Sequence, residues 1–95
     1  MEASSQIEND SIALTPASDN GRPLSEHVRL SIENYFSQLN GHDSSGLYAL
    51  VLTEVEKPLL ETALKHANYN QTKTAKILGL SRSTLRKKLD QYGIS

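Results

Sequence analysis

The sequence predicts an all-α fold with four helices per chain and a C-terminal helix-turn-helix, and three observations carry that reading. Apolar residues recur three and four positions apart through two long central runs, the spacing of one helical face. Two shorter helical patterns follow, separated by Gly79-Leu80-Ser81. Positive charge gathers around them: residues 70–95 carry Lys73, Lys76, Arg82, Arg86, Lys87 and Lys88 against Asp90 alone, a balance of +5. Residues 1–69 carry four basic against ten acidic side chains, a balance of -6, within a chain of net charge -1. Such a split suggests that one end is built for a polyanion.

Residues 1–22 are expected to form a flexible N-terminal arm, because they are rich in Ser, Asn, Asp, Glu and Ala and show no sustained apolar period. Within this arm Asp19-Asn20-Gly21 can take the positive φ angles of a hairpin turn between Ile12, Leu14 and Leu24. Residues 23–69 form the predicted dimerisation region. Its first helix, about 24–39, carries Val28, Ile32, Tyr35, Phe36 and Leu39 on one stripe, with Pro23 tolerated in its first turn and Asn40-Gly41 ending it. Asp43, Ser44 and Ser45 are alternative N-caps for a second helix, about 46–67, with Leu47, Leu50, Val51, Val55, Leu59, Leu60, Ala63 and Leu64 as its apolar positions.

Pro58 lies inside that second run. It removes one backbone hydrogen bond and crowds the carbonyl four residues back, a cost of roughly 3 kcal/mol in an isolated helix. The stripe nevertheless stays in register from Val55 to Leu59 and Ala63, and no turn residue accompanies the proline, so a kinked but continuous helix is predicted. A 95-residue chain without cysteine has little interior and no disulfide to supplement it. Two amphipathic helices per chain complete a four-helix core if two chains pair, which predicts a homodimer.

Residues 70–95 form the predicted DNA-binding region. Asn70 caps a helix of about 71–78, Gly79 ends it, and Ser81 caps a second of about 82–91. Ala75, Gly79 and Leu85 hold the small, turning and locking positions of a helix-turn-helix, with Leu78, Leu80 and Leu89 as packing residues. In such a motif the start of the second helix enters the major groove, where Arg82 can give two hydrogen bonds to guanine. Ser83 and Thr84 can reach bases or phosphates, and Arg86, Lys87 and Lys88 can reach flanking phosphates. Asn70, Gln71, Thr72 and Lys73 open the preceding helix, whose free N–H groups attract phosphate.

Other chemistry finds little support. His27, His42 and His66 fall in separate elements without metal-pair spacing, and Glu54 and Glu56, two apart on a helix, point to different faces. No phosphate loop, nucleophile motif or cofactor signature occurs, so the expectation is a non-enzyme without cofactor or metal. The acidic, polar N-terminus lacks a signal-peptide core, and no apolar run approaches the roughly 20 residues that span a bilayer. A cytoplasmic protein with no membrane partner is expected.

These residues resemble the Fis family, factors for inversion stimulation, which are bacterial nucleoid-associated DNA-bending proteins. The similarity runs from Pro23-Leu24 through NYFSQLNG, LYALVLTEVEKPLLE, NQTKTA and GLSRSTLRKKLDQYG, and the first 22 residues match poorly. The resemblance implies an intertwined homodimer kinked at Pro58, with DNA contacts at Asn70, Gln71, Thr72, Ser81, Arg82, Thr84, Arg86, Lys87 and Lys88. It implies double-stranded DNA with an AT-rich centre as the partner, bent because the paired reading helices sit closer than successive grooves. It also implies transcriptional regulation on the nucleoid and, as protein partners, RNA polymerase or a DNA invertase contacted by the arm. Two positions depart from the family pattern: Tyr69 replaces a Gly, for which Asn68 can supply the left-handed residue, and Ser81 replaces an Asn. The competing readings are the DNA-binding end of a nitrogen-regulator type activator, although no Walker motif occurs in the sequence, and a helical protein-interaction module, which would scatter its lysines.

Overall fold

The structure, a computed structural model, describes residues 14–16 and 21–95. Among these residues it contains no strand and four helices: α1, Leu24–Gln38; α2, Leu47–His66; α3, Gln71–Leu78; and α4, Arg82–Tyr92. Every boundary falls within one residue of the expected position. The expected hairpin turn at Asp19-Asn20 and most of the 1–22 arm lie outside the described residues. The chain divides into two compact units between Ser44 and Ser45.

In the first unit Pro23 is the N-cap of α1, one position ahead of the first turn, in extended conformation. Its carbonyl accepts from the N–H groups of Glu26 (3.0 Å) and His27 (3.4 Å), so its missing N–H deprives the helix of nothing. Glu26 and Arg29 form an ion pair one turn apart. Asn40 and Gly41 both take positive φ, 52° and 84°, and turn the chain out of the helix as expected. Tyr35 and Phe36 stack edge to face at 5.8 Å, and no side chain of α1 is buried. The N–H of Leu24 donates to the carbonyl of Leu14 at 2.8 Å.

The second unit opens on α2, whose N-cap differs from the expected residues. None of Asp43, Ser44 and Ser45 caps α2; its N-cap is Gly46, at φ 76°, without a side-chain cap bond. The left-handed turn at Gly46 brings its own carbonyl to the Leu50 N–H (3.1 Å), while the Ser44 hydroxyl lies 3.4 Å from Tyr35 Oη. From there α2 runs unbroken through Pro58. Past the proline lies the interior: Leu60 and Leu64 of α2, Ala75 of α3 and Leu85 and Leu89 of α4 form one cluster, with Leu78, Tyr92 and Ile94 packed against it. Leu85 is 0 % exposed. Ahead of the proline, Leu50, Leu52 and Val55 are all exposed.

Thr74 is a buried polar residue that the apolar pattern does not reveal. Its hydroxyl donates to the Asn70 carbonyl at 2.8 Å, so its burial leaves no donor unmade, and the methyl group can fill space beside Ala75.

Candidate nucleic-acid interface

Three helix ends in the second unit are closed by the same device, in which a left-handed residue allows two backbone bonds to fold back onto the last turn. At the end of α2 Asn68, at φ 55°, gives its N–H to Lys65 (3.0 Å), and Tyr69 gives its N–H to Leu64 (2.8 Å). At the end of α3 Gly79 bonds Lys76 (3.2 Å) and Leu80 bonds Ala75 (2.9 Å). At the end of α4 Gly93 bonds Asp90 (3.2 Å) and Ile94 bonds Leu89 (2.8 Å). The caps at the opposite ends fall where the sequence puts them: Asn70 Oδ1 accepts the Lys73 N–H at 3.0 Å, and Ser81 Oγ accepts the Thr84 N–H at 3.1 Å. Every turn of the helix-turn-helix is therefore specified by its own residues, through side-chain caps at the helix starts and left-handed residues at the ends.

The expected site residues fall on two helix starts and one exposed face. Asn70 caps α3, and Gln71, Thr72 and Lys73 form its first turn, where the N–H groups of Gln71 and Thr72 have no partner inside the helix. On α4 the helical rotation of about 100° per residue separates the side chains into faces. Leu85 and Leu89 point into the core. Ser83 and Lys87 lie opposite them, with Arg82 and Arg86 on one flank and Thr84, Lys88 and Tyr92 on the other. Arg82, Ser83 and Arg86 line an open concavity of about 390 Å³. Lys73, Arg82, Arg86 and Lys87 are exposed, and among the described residues none of them is in an ion pair.

Two of the expected contacts carry local duties. The Ser81 hydroxyl, besides capping α4, donates to Thr84 Oγ1 (2.9 Å) and lies 3.2 Å from Ser83 Oγ, so Ser81 and Thr84 form a local network at the helix start. Lys88 turns away from the arginine flank toward α2, where its Nζ lies 2.6 Å from Glu56 Oε2. Tyr92 Oη donates to the other oxygen of the same carboxylate at 2.5 Å. The hydrogen bonds from Lys88 and then Tyr92 hold the Glu56 carboxyl below its usual range, against the opposing effect of burial. The bond to Glu56 pushes the Lys88 ammonium and the Tyr92 phenol upward.

Glu56 is the residue that sequence reasoning missed. It lies 32 positions from Lys88, and no short-range spacing signals the pairing. Tyr69 is a second surprise: it too is left-handed, at φ 65°, and is 65 % exposed directly ahead of Asn70. Among the described residues no group of acidic or histidine side chains could hold a metal ion, and no helix is long and apolar enough to cross a membrane.

Comparison with known proteins agrees with the motif. Residues 51–92 match the family described as bacterial regulatory protein, Fis family, and residues 1–44 match the DNA-binding protein Fis N-terminal domain. The proteins named DNA-binding protein Fis from Yersinia enterocolitica and Aliivibrio fischeri are each 50 % identical to this chain over 74 residues, covering 78 % of it and 76 % of the relative. The protein of that name from Proteus mirabilis is 49 % identical over the same length and shares of the two chains.

Proposed function

The chain belongs to the Fis family, and from that premise we propose that it is a homodimeric regulator that binds double-stranded DNA and bends it. The observation that carries the reading is the outer face of α4, where Arg82, Ser83 and Arg86 border one concavity on a helix fixed from behind by Leu85 and Leu89. In this proposal Arg82 reads a guanine edge, and Arg86 and Lys87 hold phosphates beside it. The start of α3, with Asn70, Gln71, Thr72 and Lys73, grips the neighbouring phosphate through N–H groups and one ammonium. Ser81 and Thr84 support the start of the reading helix and can reach the backbone from it. Lys88 stands at the edge of the set, with its charge shared with Glu56.

The homodimer is supported by what the single chain leaves uncovered. Phe36 on α1 and Leu50, Leu52, Val55 and Leu59 on α2 are all exposed, and covering one leucine is worth about 1.5–3 kcal/mol. The bend rests on the family resemblance: reading helices closer than the about 34–36 Å between successive major grooves require curved DNA, which favours an AT-rich centre with a compressible minor groove. Nucleoid association and transcriptional regulation follow from the same reading, as regulatory and not catalytic roles. Contact with RNA polymerase, and recombination through contact of the arm with a DNA invertase, extend the proposal. Titration of an AT-rich duplex by mobility shift at several salt concentrations tests its core. The expected result is affinity that falls log-linearly with salt. Absence of a complex at low salt overturns the reading, and a monomer in sedimentation equilibrium at micromolar concentration removes the dimer.

A further inference from the structure

We infer that Glu56 is a positioning residue of the DNA-binding region: it holds Lys88 and Tyr92 against α2 and so governs how much of the Lys88 charge reaches DNA. The inference rests on the DNA-binding reading above and deepens it. Both carboxylate oxygens are engaged, Oε2 by Lys88 Nζ at 2.6 Å and Oε1 by Tyr92 Oη at 2.5 Å. The two donors stand one turn apart on α4, so a single carboxylate fixes the flank of that helix at two heights. Glu56 lies ahead of Pro58, in the part of α2 that contributes nothing to the buried cluster. The pair therefore links α4 to a segment that the apolar core does not reach.

The electrostatic consequence follows from the partners. An ammonium in contact with a carboxylate presents almost no net charge to a third group a few ångströms beyond, so a phosphate passing this flank meets a neutral pair. Lys87, on the outward face and without an acidic partner among the described residues, presents its full charge. Adjacent lysines in the same basic run thus have different weights, and the difference is set by one glutamate on another helix. The side chains of both members are about one quarter exposed, 30 % for Lys88 and 22 % for Glu56, so water reaches the pair and the lysine can be released.

Counterion release gives the test, because each phosphate neutralised adds about 0.9 to the steepness of log affinity against log salt. Binding of the full chain to an AT-rich duplex is measured by fluorescence anisotropy across a salt series. Lys87→Met is expected to flatten the slope by about 0.9 for each protomer bound, and Lys88→Met by less than half as much. Glu56→Gln, which keeps the shape and removes the charge, is expected to steepen it by up to about 0.9 for each protomer, and adding Lys88→Met to that variant removes the gain. A purely structural role would lower the melting temperature and leave the slope of the folded protein where it was. The inference is overturned if Lys88→Met flattens the native slope as much as Lys87→Met, a comparison that holds even if Glu56→Gln fails to fold. It is equally overturned if folded Glu56→Gln shows no change of slope. Failure of the unaltered chain to bind DNA is a separate outcome that refutes the DNA-binding reading itself.

Discussion

Gly79→Ala isolates the backbone cost of the turn that sets α3 against α4. Gly79 sits at φ 76°, and a Cβ built there meets no heavy atom within 4 Å. The added methyl therefore has room, and the penalty reduces to placing an L-residue in the left-handed region, about 1–2 kcal/mol. Alanine recovers about 0.5–1 kcal/mol by restricting the unfolded chain, so the net loss should lie near 1 kcal/mol. Gly79→Asn should lose less, because asparagine visits this region more readily. Urea unfolding followed by circular dichroism, at one fixed protein concentration because the stability of the proposed dimer would depend on it, measures both variants. A loss above about 3 kcal/mol would exceed the backbone penalty and show that the methyl meets something the open space does not contain. A neutral result would show that the left-handed turn is not retained in solution.

Four other perturbations act on separate links of the same unit. Asn70→Ala and Ser81→Ala each remove a helix cap and should each cost about 1 kcal/mol in urea unfolding, with near-additive loss in the double variant if the two caps act independently. Leu85→Ala empties the most buried position of α4 and should cost about 2–5 kcal/mol, with loss of DNA binding tracking the loss of folded protein in thermal melts. The phenol of Tyr92 is raised above its ordinary value by its bond to Glu56, so its contribution to stability is complete below the unfolded value of 10.0 and is lost as pH rises through the raised folded value. Ultraviolet titration should show a tyrosine component ionising above the ordinary phenol value, and Tyr92→Phe should remove that component. The Glu56 carboxyl is depressed, so its contribution is complete above the unfolded value of 4.5 and is lost as pH falls through the lowered folded value. Acid unfolding should accordingly begin at higher pH in Glu56→Gln than in the native chain.

How much of this was legible in the sequence depends on the range over which each interaction acts. The helices and most of their caps are local: Asn70 reaches three residues to Lys73, Ser81 three to Thr84, and Gly79 closes its own helix, so residue type and spacing suffice. Asn68 in place of a glycine is legible for the same reason. The cap of α2 misled because Asp, Ser and Ser outrank Gly as caps by side-chain chemistry, whereas the chain chose the residue that tolerates φ 76°. Tyr69 is invisible to propensity, since an aromatic at φ 65° runs against its intrinsic preference and depends on the folded-back bond to Leu64. The proposed site is legible as a set of exposed cations, but the sequence does not separate Lys88 from Lys87, because the ion pair that distinguishes them spans two helices.

That difference bears on the uneven charge of the whole chain. A basic end facing an acidic remainder invites the two to neutralise each other, which would oppose attraction to a polyanion. Among the described residues the fold allows this once, at Glu56, while the other acidic partner in an ion pair, Glu26, takes Arg29 on its own helix. Arg82, Arg86 and Lys87 escape pairing because the core residues Leu85 and Leu89 orient α4 with its cationic stripe away from α2. The packing of two leucines thus decides which charges remain available to phosphate. A core substitution that rotated α4 by one residue, about 100°, would move the stripe as well as loosen the helix. Repacking the core with conserved volume should therefore preserve the salt dependence of DNA binding, whereas any change that turns α4 should alter that dependence even where the melting temperature is unchanged.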